Sequence, residues 1–587
     1  MADLIKLASA QIRELMLDSL GRLVASGKAP SEPLPDFRVE IPADKSHGDF
    51  AANTAMVCAK IFRSAPRKIA EMICEEIVLD GTYFDRVEIA GPGFINFFLG
   101  RRWFSEVVNT VISEKDNYGR TETGKGKKVL VEFVSANPTG PMHVGNARGG
   151  AIGDGLAEIM SWAGYDVQRE FYVNDAGNQI EKFGKSLELR FMQLCSSDGK
   201  SIMDKSSSDE EICKAVYSDE DMFPMPEDAY RGVDIIEHAL NYLKENGTDS
   251  AEASMEDRKK VLVDYALPKN IAGLERDLKK YRIVYDNWFR ESTLHSSGDV
   301  MKIVETLTEK GYTYEQEGAV WFKASQFGAD KDFVLVRSNG IPTYVVPDIA
   351  YHYNKLVTRG YDKAIDILGA DHHGYVPRLK AALTALGVDA DKLDVVLMQM
   401  VRLMRNGEVA KLSKRSGKAI TLVTLLDEIP IDAARFFFNL REANSHFEFD
   451  LDLAVEQSSQ NPVYYVQYAH ARICSLISNL SEQGLTADKF SIEELNILDK
   501  PQEIELIRLL AAMPGEIDSA AKNYDPAKIT KYSIDLATHF HKFYDACSVK
   551  NAETDELKKA RLILCMSVRQ ALKNSLGILK INCPEKM

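Results

Sequence analysis

Two short strings in this chain have residue types suited to handling a phosphate chain: His143-Val144-Gly145-Asn146 and Lys411-Leu412-Ser413-Lys414. The first follows Val129–Val134, a run rich in β-branched and aromatic residues that reads as a strand. Asn137-Pro138-Thr139-Gly140-Pro141 is loop chemistry that ends it. Leu156, Ile159, Met160 and Ala163 then recur at helical spacing. The expected order is strand, loop, helix, with His143 and Gly145 in the first helical turn. That turn carries free N–H groups and the positive end of the helix dipole, so it can hold phosphate. Gly145 lets backbone approach a ligand closely, and His143 adds a side-chain donor. Taken alone, His-x-Gly is more often an ordinary turn in a parallel sheet. A basic loop such as Lys411–Lys414 is likewise common on surfaces.

The two strings lie about 270 residues apart, and at this separation HVGN and KLSK resemble the paired HIGH and KMSKS signatures of class I aminoacyl-tRNA synthetases. The longer string SANPTGPMHVGNARGG is similar to the bacterial type of arginyl-tRNA synthetase, as are DKSHGDFAANTAM, GPGFINFFL, VNDAGNQI, NWFRESTLH, TYVVPDIAY and DAARFFF. The resemblance covers nearly the whole chain and is thinnest over residues 190–285 and beyond 480. It implies an α/β fold: a class I Rossmann-like parallel-sheet catalytic domain, an α+β N-terminal domain and an all-α C-terminal anticodon-binding bundle. The expected boundaries are 1–112 for a unit contacting the tRNA elbow, 122–430 for the catalytic domain with a helical insertion at about 193–285, and 431–587 for the bundle.

The implied activity is that of an arginine–tRNA ligase. L-arginine and ATP, carrying Mg²⁺, would give arginyl-adenylate, and the arginyl group would pass to the 3′-terminal adenosine of tRNA-Arg. The resemblance also implies that ATP–pyrophosphate exchange stays near background until tRNA is added. Such chemistry needs positioning and charge neutralisation more than covalent help. His143 and the helix start at Gly145 would donate to α- and β-phosphate oxygens, and Lys411 and Lys414 would reach the β- and γ-phosphates from a loop kept short and flexible by Ser413 and Gly417.

By the same resemblance Gly369 and Asp371 would hold the ribose, while the backbone near Met400 and Val401 would meet adenine. Ser135, Ala136 and Asn137 would face the amino and carboxylate end of arginine. Asp348 would pair with the guanidinium, where a carboxylate matches the planar fork, with Tyr344 at the same end. Asn146 and His372 occupy two more contact positions. Both depart from the pattern: many relatives have His at 146 and some have Gln at 372. An amide at 146 still donates hydrogen bonds but cannot become charged.

Composition sets the outer limits. With 587 residues, 45% hydrophobic and 27% charged, the chain has ample length for several cores and ordinary globular chemistry. A net charge of −15 argues against a general nucleic-acid sponge. A local basic cluster at Arg402, Arg405, Lys411, Lys414, Arg415 and Lys418 still allows RNA contact. Eight cysteines without a C-x-x-C pair suggest reduced thiols, a cytoplasmic setting and no protein-bound structural metal. No apolar run of about 18 residues is present, and MADLIKLASAQIRELML reads as an amphipathic helix rather than a leader, so no membrane is expected. A monomer is expected.

Several elements should position these residues. An opening helix should bury Leu4, Ile5, Leu7, Ala8, Ile12 and Leu15. Phe94, Ile95, Phe97 and Phe98 read as a core strand. Asp166–Tyr172, Ala319–Phe322, Phe333–Arg337 and Val395–Leu403 read as further strands, and Ala364–Leu368 as an apolar strand of a buried parallel sheet. Thr343–Val346 should lead as an extended segment into a helix at Asp348. Residues 193–269, rich in Ser, Asp, Glu and Lys, read as a solvated helical insertion to which the sequence gives no chemistry. The aromatic stripe Tyr464, Tyr465 and Tyr468 is expected in the core of the C-terminal bundle.

Three rivals differ in what they require. A synthetase-like RNA-binding protein without catalysis would have no need of His143 or the KLSK lysines. A small-molecule adenylyltransferase would not use the N-terminal unit or the bundle. A synthetase for another amino acid would not depend on Asp348.

Overall fold

A computed structural model describes residues 3–410, 420–487 and 489–587. The chain opens with the helix Leu4–Ala25, started by the Asp3 side chain accepting from the Lys6 N–H. Leu4, Ala8, Ile12 and Leu15 line its buried face, whereas Leu7 is 46% exposed and turns outward, against expectation. The helix packs beside a small antiparallel sheet of β1 (Val39–Glu40), β2 (Phe50–Ala52), β3 (Phe84–Ala90) and β4 (Phe94–Leu99), ordered β1-β2-β4-β3. Ile95 and Phe97 face its core.

The central layer is a five-stranded parallel sheet. β5 (Lys128–Glu132), β6 (Asp166–Val173) and β7 (Asn287–Arg290) run in order on one side. After β8 (Thr313–Gln316), β9 (Ala319–Phe322) and β10 (Phe333–Val336) make their own antiparallel sheet, β11 (Lys363–Gly369) and β12 (Leu393–Met398) complete the parallel one. The order is β12-β11-β5-β6-β7. Two bodies are inserted along this sheet. Helices between β6 and β7, among them Val233–Asn246 and Met255–Lys280, carry a core of their own around Phe183, Leu187, Ile236 and Leu262. The β8–β10 sheet and the helix Val345–Tyr353 share another, around Phe322, Leu335 and Val346. Beyond β12, β13 (Val401–Arg405), β14 (Glu408–Val409) and β15 (Phe447–Asp450) form a third small sheet. Long helices Pro462–Glu482, Pro501–Asn523, Ala527–Ala546 and Asp555–Ile578 finish the chain.

Four sequence expectations need correction here. Val395–Leu403 is two strands in two sheets. The chain leaves β11 after Met398 and re-pairs with β15 from Val401, and the Arg148 guanidinium donates to the Gln399 carbonyl (2.8 Å) at the crossing. Thr343–Val346 is not extended. The Thr343 N–H donates back to the Leu335 carbonyl (2.8 Å), the chain turns, and the helix begins at Val345. Pro347 fits that first turn, where its missing N–H has no helical partner anyway.

The strand at Ala364–Leu368 is not apolar throughout, because Asp366 lies in it and is buried. Its carboxylate accepts from Lys355 Nζ (2.9 Å) and meets His352 Nε2 (2.6 Å), and Lys355 also bonds Glu132. A buried charge persists only when paired and hydrogen-bonded in this way. In the C-terminal bundle Val463, Val466, Ala469 and Ile473 occupy the buried face of their helix. Tyr464 and Tyr468 lie off that face and stack on each other, Tyr468 41% exposed, whereas half-buried Tyr465 packs against the core as expected.

Candidate active site

The site begins where β5 stops. Val134 and Ser135 follow the strand with φ of +70° and +41°. Left-handed backbone is rare outside glycine and costs on the order of 1–3 kcal/mol at each position. It is held by a specific set of bonds. Ser135 Oγ donates to Glu132 Oε1 (2.8 Å) and accepts the Tyr172 N–H (3.0 Å), so the kink is tied to both β5 and β6. From there the loop swings out over the carboxyl ends of the strands, where ligands of open parallel sheets bind. The Asn270 amide, from the inserted helix Met255–Lys280, donates to the Pro138 carbonyl (3.0 Å) and fixes the loop from the other side.

His143 is not in the first helical turn. The helix runs Gly145–Trp162 with Val144 as its cap residue, and His143 forms an antiparallel bridge with Thr421. Two backbone bonds flank that bridge: Val144 N–H to the Ile420 carbonyl (3.0 Å) and Leu422 N–H to the Met142 carbonyl (2.8 Å). The helix start at Gly145 opens onto free space, with nothing within 4 Å of where a side chain would begin. Deeper in, Gly153 has no such freedom, since a Cβ there would lie 2.2 Å from the Phe133 ring. Glycine at 153 is what lets this helix sit directly on β5.

A cavity of about 1090 Å³ lies above this junction. Ser135, Ala136, Asn137, His143, Asn146 and His372 all line it, together with Thr421. The opposite wall comes from the inserted helices, with Arg231, His238, Lys269 and Asn270 among its residues. The insertion therefore lines the cavity, a placement on which the sequence was silent. Its polar composition suits a wetted wall as well as a free surface, so composition alone did not separate the two.

Asp348 and Tyr344 do not line this cavity, but they join it through Tyr375. The Tyr375 hydroxyl donates to Asp348 Oδ2 (2.5 Å). Its ring stacks with Tyr344 at 6.3 Å and meets the His372 ring edge-on at 6.4 Å. Burial pushes the Asp348 carboxyl up to about 6, against the Tyr375 hydroxyl and His352, which both favour the ionised form. Gly369 and Asp371 sit at the carboxyl end of β11, with the Asp371 carboxylate folded over Gly369. Met400 and Val401 lie at the crossing from β12 to β13, Met400 84% exposed. Gly369, Asp371 and Met400 lie at the carboxyl ends of the neighbouring strands β11 and β12, Val401 opens β13 in the next sheet, and all four are outside the cavity lining. Lys411, Ser413 and Lys414 lie outside the described residues; Ala410 on one side is bonded to Leu403, and Ile420 on the other to Val144.

Sequence reading missed Glu132, Thr421, Asn270 and Tyr375. Glu132 had a signal, an acid closing an otherwise apolar strand. Tyr375 had only its place three residues after His372. Arg148 was missed too: fully buried, it donates to the carbonyls of Gln399, Glu442 and Ser445. Burial pulls its guanidinium down to about 10, still charged near neutrality.

Over its whole length the chain is 50% identical to an arginine–tRNA ligase of Acetivibrio thermocellus, covering all 587 residues and all of that relative. The chain belongs to the arginyl-tRNA synthetase family. An arginine–tRNA ligase of Caldanaerobacter subterraneus is also 50% identical over the full length of both chains. Three family models tile this synthetase: "Arginyl tRNA synthetase N terminal domain" over residues 10–99, "tRNA synthetases class I (R), catalytic domain" over 107–477, and "DALR anticodon binding domain" over 466–587. The fold is that of Thermus thermophilus arginyl-tRNA synthetase, with a TM-score of 0.70 at 20% identity, covering 98% of this chain and all of that one. The protein is thus an aminoacyl-tRNA synthetase of class I. Among the described residues no helix is long and apolar enough to cross a membrane.

Proposed function

We propose that this synthetase condenses L-arginine with Mg²⁺-bound ATP to arginyl-adenylate and passes the arginyl group to the 3′-terminal adenosine of tRNA-Arg. One observation carries the reading: His143, just before the open helix start, is bridged to Thr421, seven residues beyond the last lysine of the KLSK string. In the reaction the arginine carboxylate attacks the α-phosphorus in line, and the bond to pyrophosphate breaks. His143 and the N–H groups at Gly145 donate to the phosphate oxygens as charge builds there. Lys411 and Lys414 neutralise the departing β- and γ-phosphates. Asn146 adds a neutral donor. Asp371 accepts from the ribose hydroxyls above Gly369, and the backbone at Met400 and Val401 meets adenine. Both positions are supported by the carboxyl ends of the neighbouring strands β11 and β12, where Gly369, Asp371 and Met400 lie.

Asp348 pairs with the guanidinium and Tyr344 packs against it, while Ser135, Ala136, Asn137 and His372 surround the amino and carboxylate end. For Ser135 the hydrogen bonds favour a supporting part, because its hydroxyl is already engaged by Glu132 and Tyr172. We assign residues 1–112 to the tRNA elbow, 122–430 to catalysis and 431–587 to the anticodon. We further infer that the protein acts as a monomer in the cytoplasm and forms adenylate only with tRNA bound. A charging assay with bulk tRNA and each of the twenty amino acids tests the function: arginine alone should give stable charging. Charging with another amino acid, or ATP–pyrophosphate exchange at full rate without tRNA, would contradict it.

A further inference from the structure

We propose that Tyr375 is a positioning residue for arginine selection: it holds the Asp348 carboxylate charged and aimed, and so sets the preference for a guanidinium over a neutral group of the same shape. The inference rests on the reading of Asp348 as the guanidinium partner.

Asp348 sits among groups that oppose its charge. Glu132 from the end of β5 and Glu291 from the helix after β7 both repel it, and Tyr172 from β6 closes over the same space. On its own helix, His352 attracts the carboxylate, but its ring is already committed. One ring nitrogen meets the Asp348 backbone carbonyl (2.7 Å) and the other meets Asp366 (2.6 Å). Among the described residues, Tyr375 is the group that hydrogen-bonds the carboxylate itself. A hydrogen bond to the ionised form favours that form and fixes its rotamer. It engages one oxygen and leaves the other for a ligand.

The Tyr375 ring adds a second constraint. It lies between Tyr344 and His372, stacked on the first and edge-on to the second. The Tyr344 and Tyr375 rings are thus gathered at the end where Asp348 is held, and aromatic rings beside a carboxylate suit a guanidinium. A neutral urea end has the same outline but lacks the charge. Its rejection depends on Asp348 staying ionised, and this is the property Tyr375 supplies. Packing alone would not give Tyr375 this role, because phenylalanine would pack equally well.

The test uses the full-length enzyme with its tRNA and compares Tyr375→Phe with Asp348→Asn. For Tyr375→Phe, the arginine KM at pH 7.5 should rise about tenfold with kcat changed less than about threefold. The acid limb of kcat/KM should move up by about one pH unit. Inhibition by citrulline, the neutral isostere, should strengthen relative to arginine by about tenfold. Unchanged KM and an unmoved acid limb in Tyr375→Phe, with Asp348→Asn inactive, would overturn the role of Tyr375 and leave Asp348 in place. Wild-type arginine KM in Asp348→Asn would overturn both. If Tyr375→Phe lost its cooperative melt, Tyr375→His would replace it, since it keeps a ring donor. A KM within about threefold of native in Tyr375→His supports the proposal, and a tenfold rise overturns it.

Discussion

The backbone N–H of Leu422 donates to the carbonyl of Met142 at 2.8 Å, immediately before His143 in the chain. That one bond, with its neighbour from Val144 to Ile420, sews together two parts of the sequence that lie about 270 residues apart. The helix Leu422–Glu428 continues from the seam, capped by the Thr421 side chain on the Thr424 N–H. Ile420 and Leu422 thus flank His143 through backbone bonds on either side of it.

The seam can be cut with little other damage. Val144 has φ of −55°, which proline adopts without strain, and its N–H donates to the Ile420 carbonyl. Val144→Pro should therefore keep the helix Gly145–Trp162, where proline beside the start is tolerated. The kcat/KM for ATP should fall tenfold or more, about 1.4 kcal/mol, while the melting temperature moves little. Steady-state kinetics at varied ATP, read beside a thermal melt, checks both halves.

Asp348 should give the enzyme an acid limb. With its carboxyl raised to about 6 by burial, the group is ionised at pH 7.5 and increasingly neutral below 6. Arginine binds the ionised form, so its KM should be flat above about pH 7 and climb as pH falls through 6. The contribution to stability has the opposite sign. Because the folded-state value lies above the ordinary 3.8, this group favours the unliganded fold at low pH, and that contribution fades as pH rises through about 6. Arginine KM measured from pH 5.5 to 8, in parallel with unliganded melting curves, separates the two trends.

A buried ionic hub joins the helix Gly145–Trp162 to the far end of the chain. The fully buried Asp154 accepts from Arg435 Nη2 (2.6 Å), Lys580 Nζ (2.7 Å) and Arg169 Nε (3.2 Å). Arg435 also donates to the carbonyls of Tyr281 and Leu579. Removing one partner of such a cluster leaves charge and carbonyls unsatisfied, at a cost of about 3–5 kcal/mol. Arg435→Met should lower stability by that order in a urea titration, whereas exposed Arg276→Met should change it by less than about 0.5 kcal/mol.

The strings HVGN and KLSK were weak signals by local chemistry alone, and it was their pairing in the family resemblance that singled them out. Asp348 and Tyr344 were named through the family resemblance, since by residue type alone a helix cap and a core tyrosine fit them as well. Features that depend on distant partners were not legible. Asp366 breaks an apolar strand, and its tolerance comes from Lys355 and His352 on another element. The turn at Gln399 was invisible because apolar residues continue on both sides, so period alone marks no change of sheet. Half-buried Tyr464 and exposed Tyr468 were misread for a related reason, since Val463 and Val466 offer an equally good stripe one position away. The cavity wall from residues 231–277 looked like free surface, because wall and surface favour the same polar residues.

The imidazole of His143 and the ammonium groups of Lys411 and Lys414 should serve one triphosphate. A double-mutant cycle measures this directly, using single-turnover adenylate formation with tRNA and saturating arginine for the native enzyme, His143→Ala, Lys414→Ala and the double variant. Each single change should slow the step by about 10²–10³-fold. The double variant should fall short of the product of the two by at least tenfold, a coupling of about 1.4 kcal/mol. Effects that multiply to within about twofold would mean that the two residues act independently, and the account would fail.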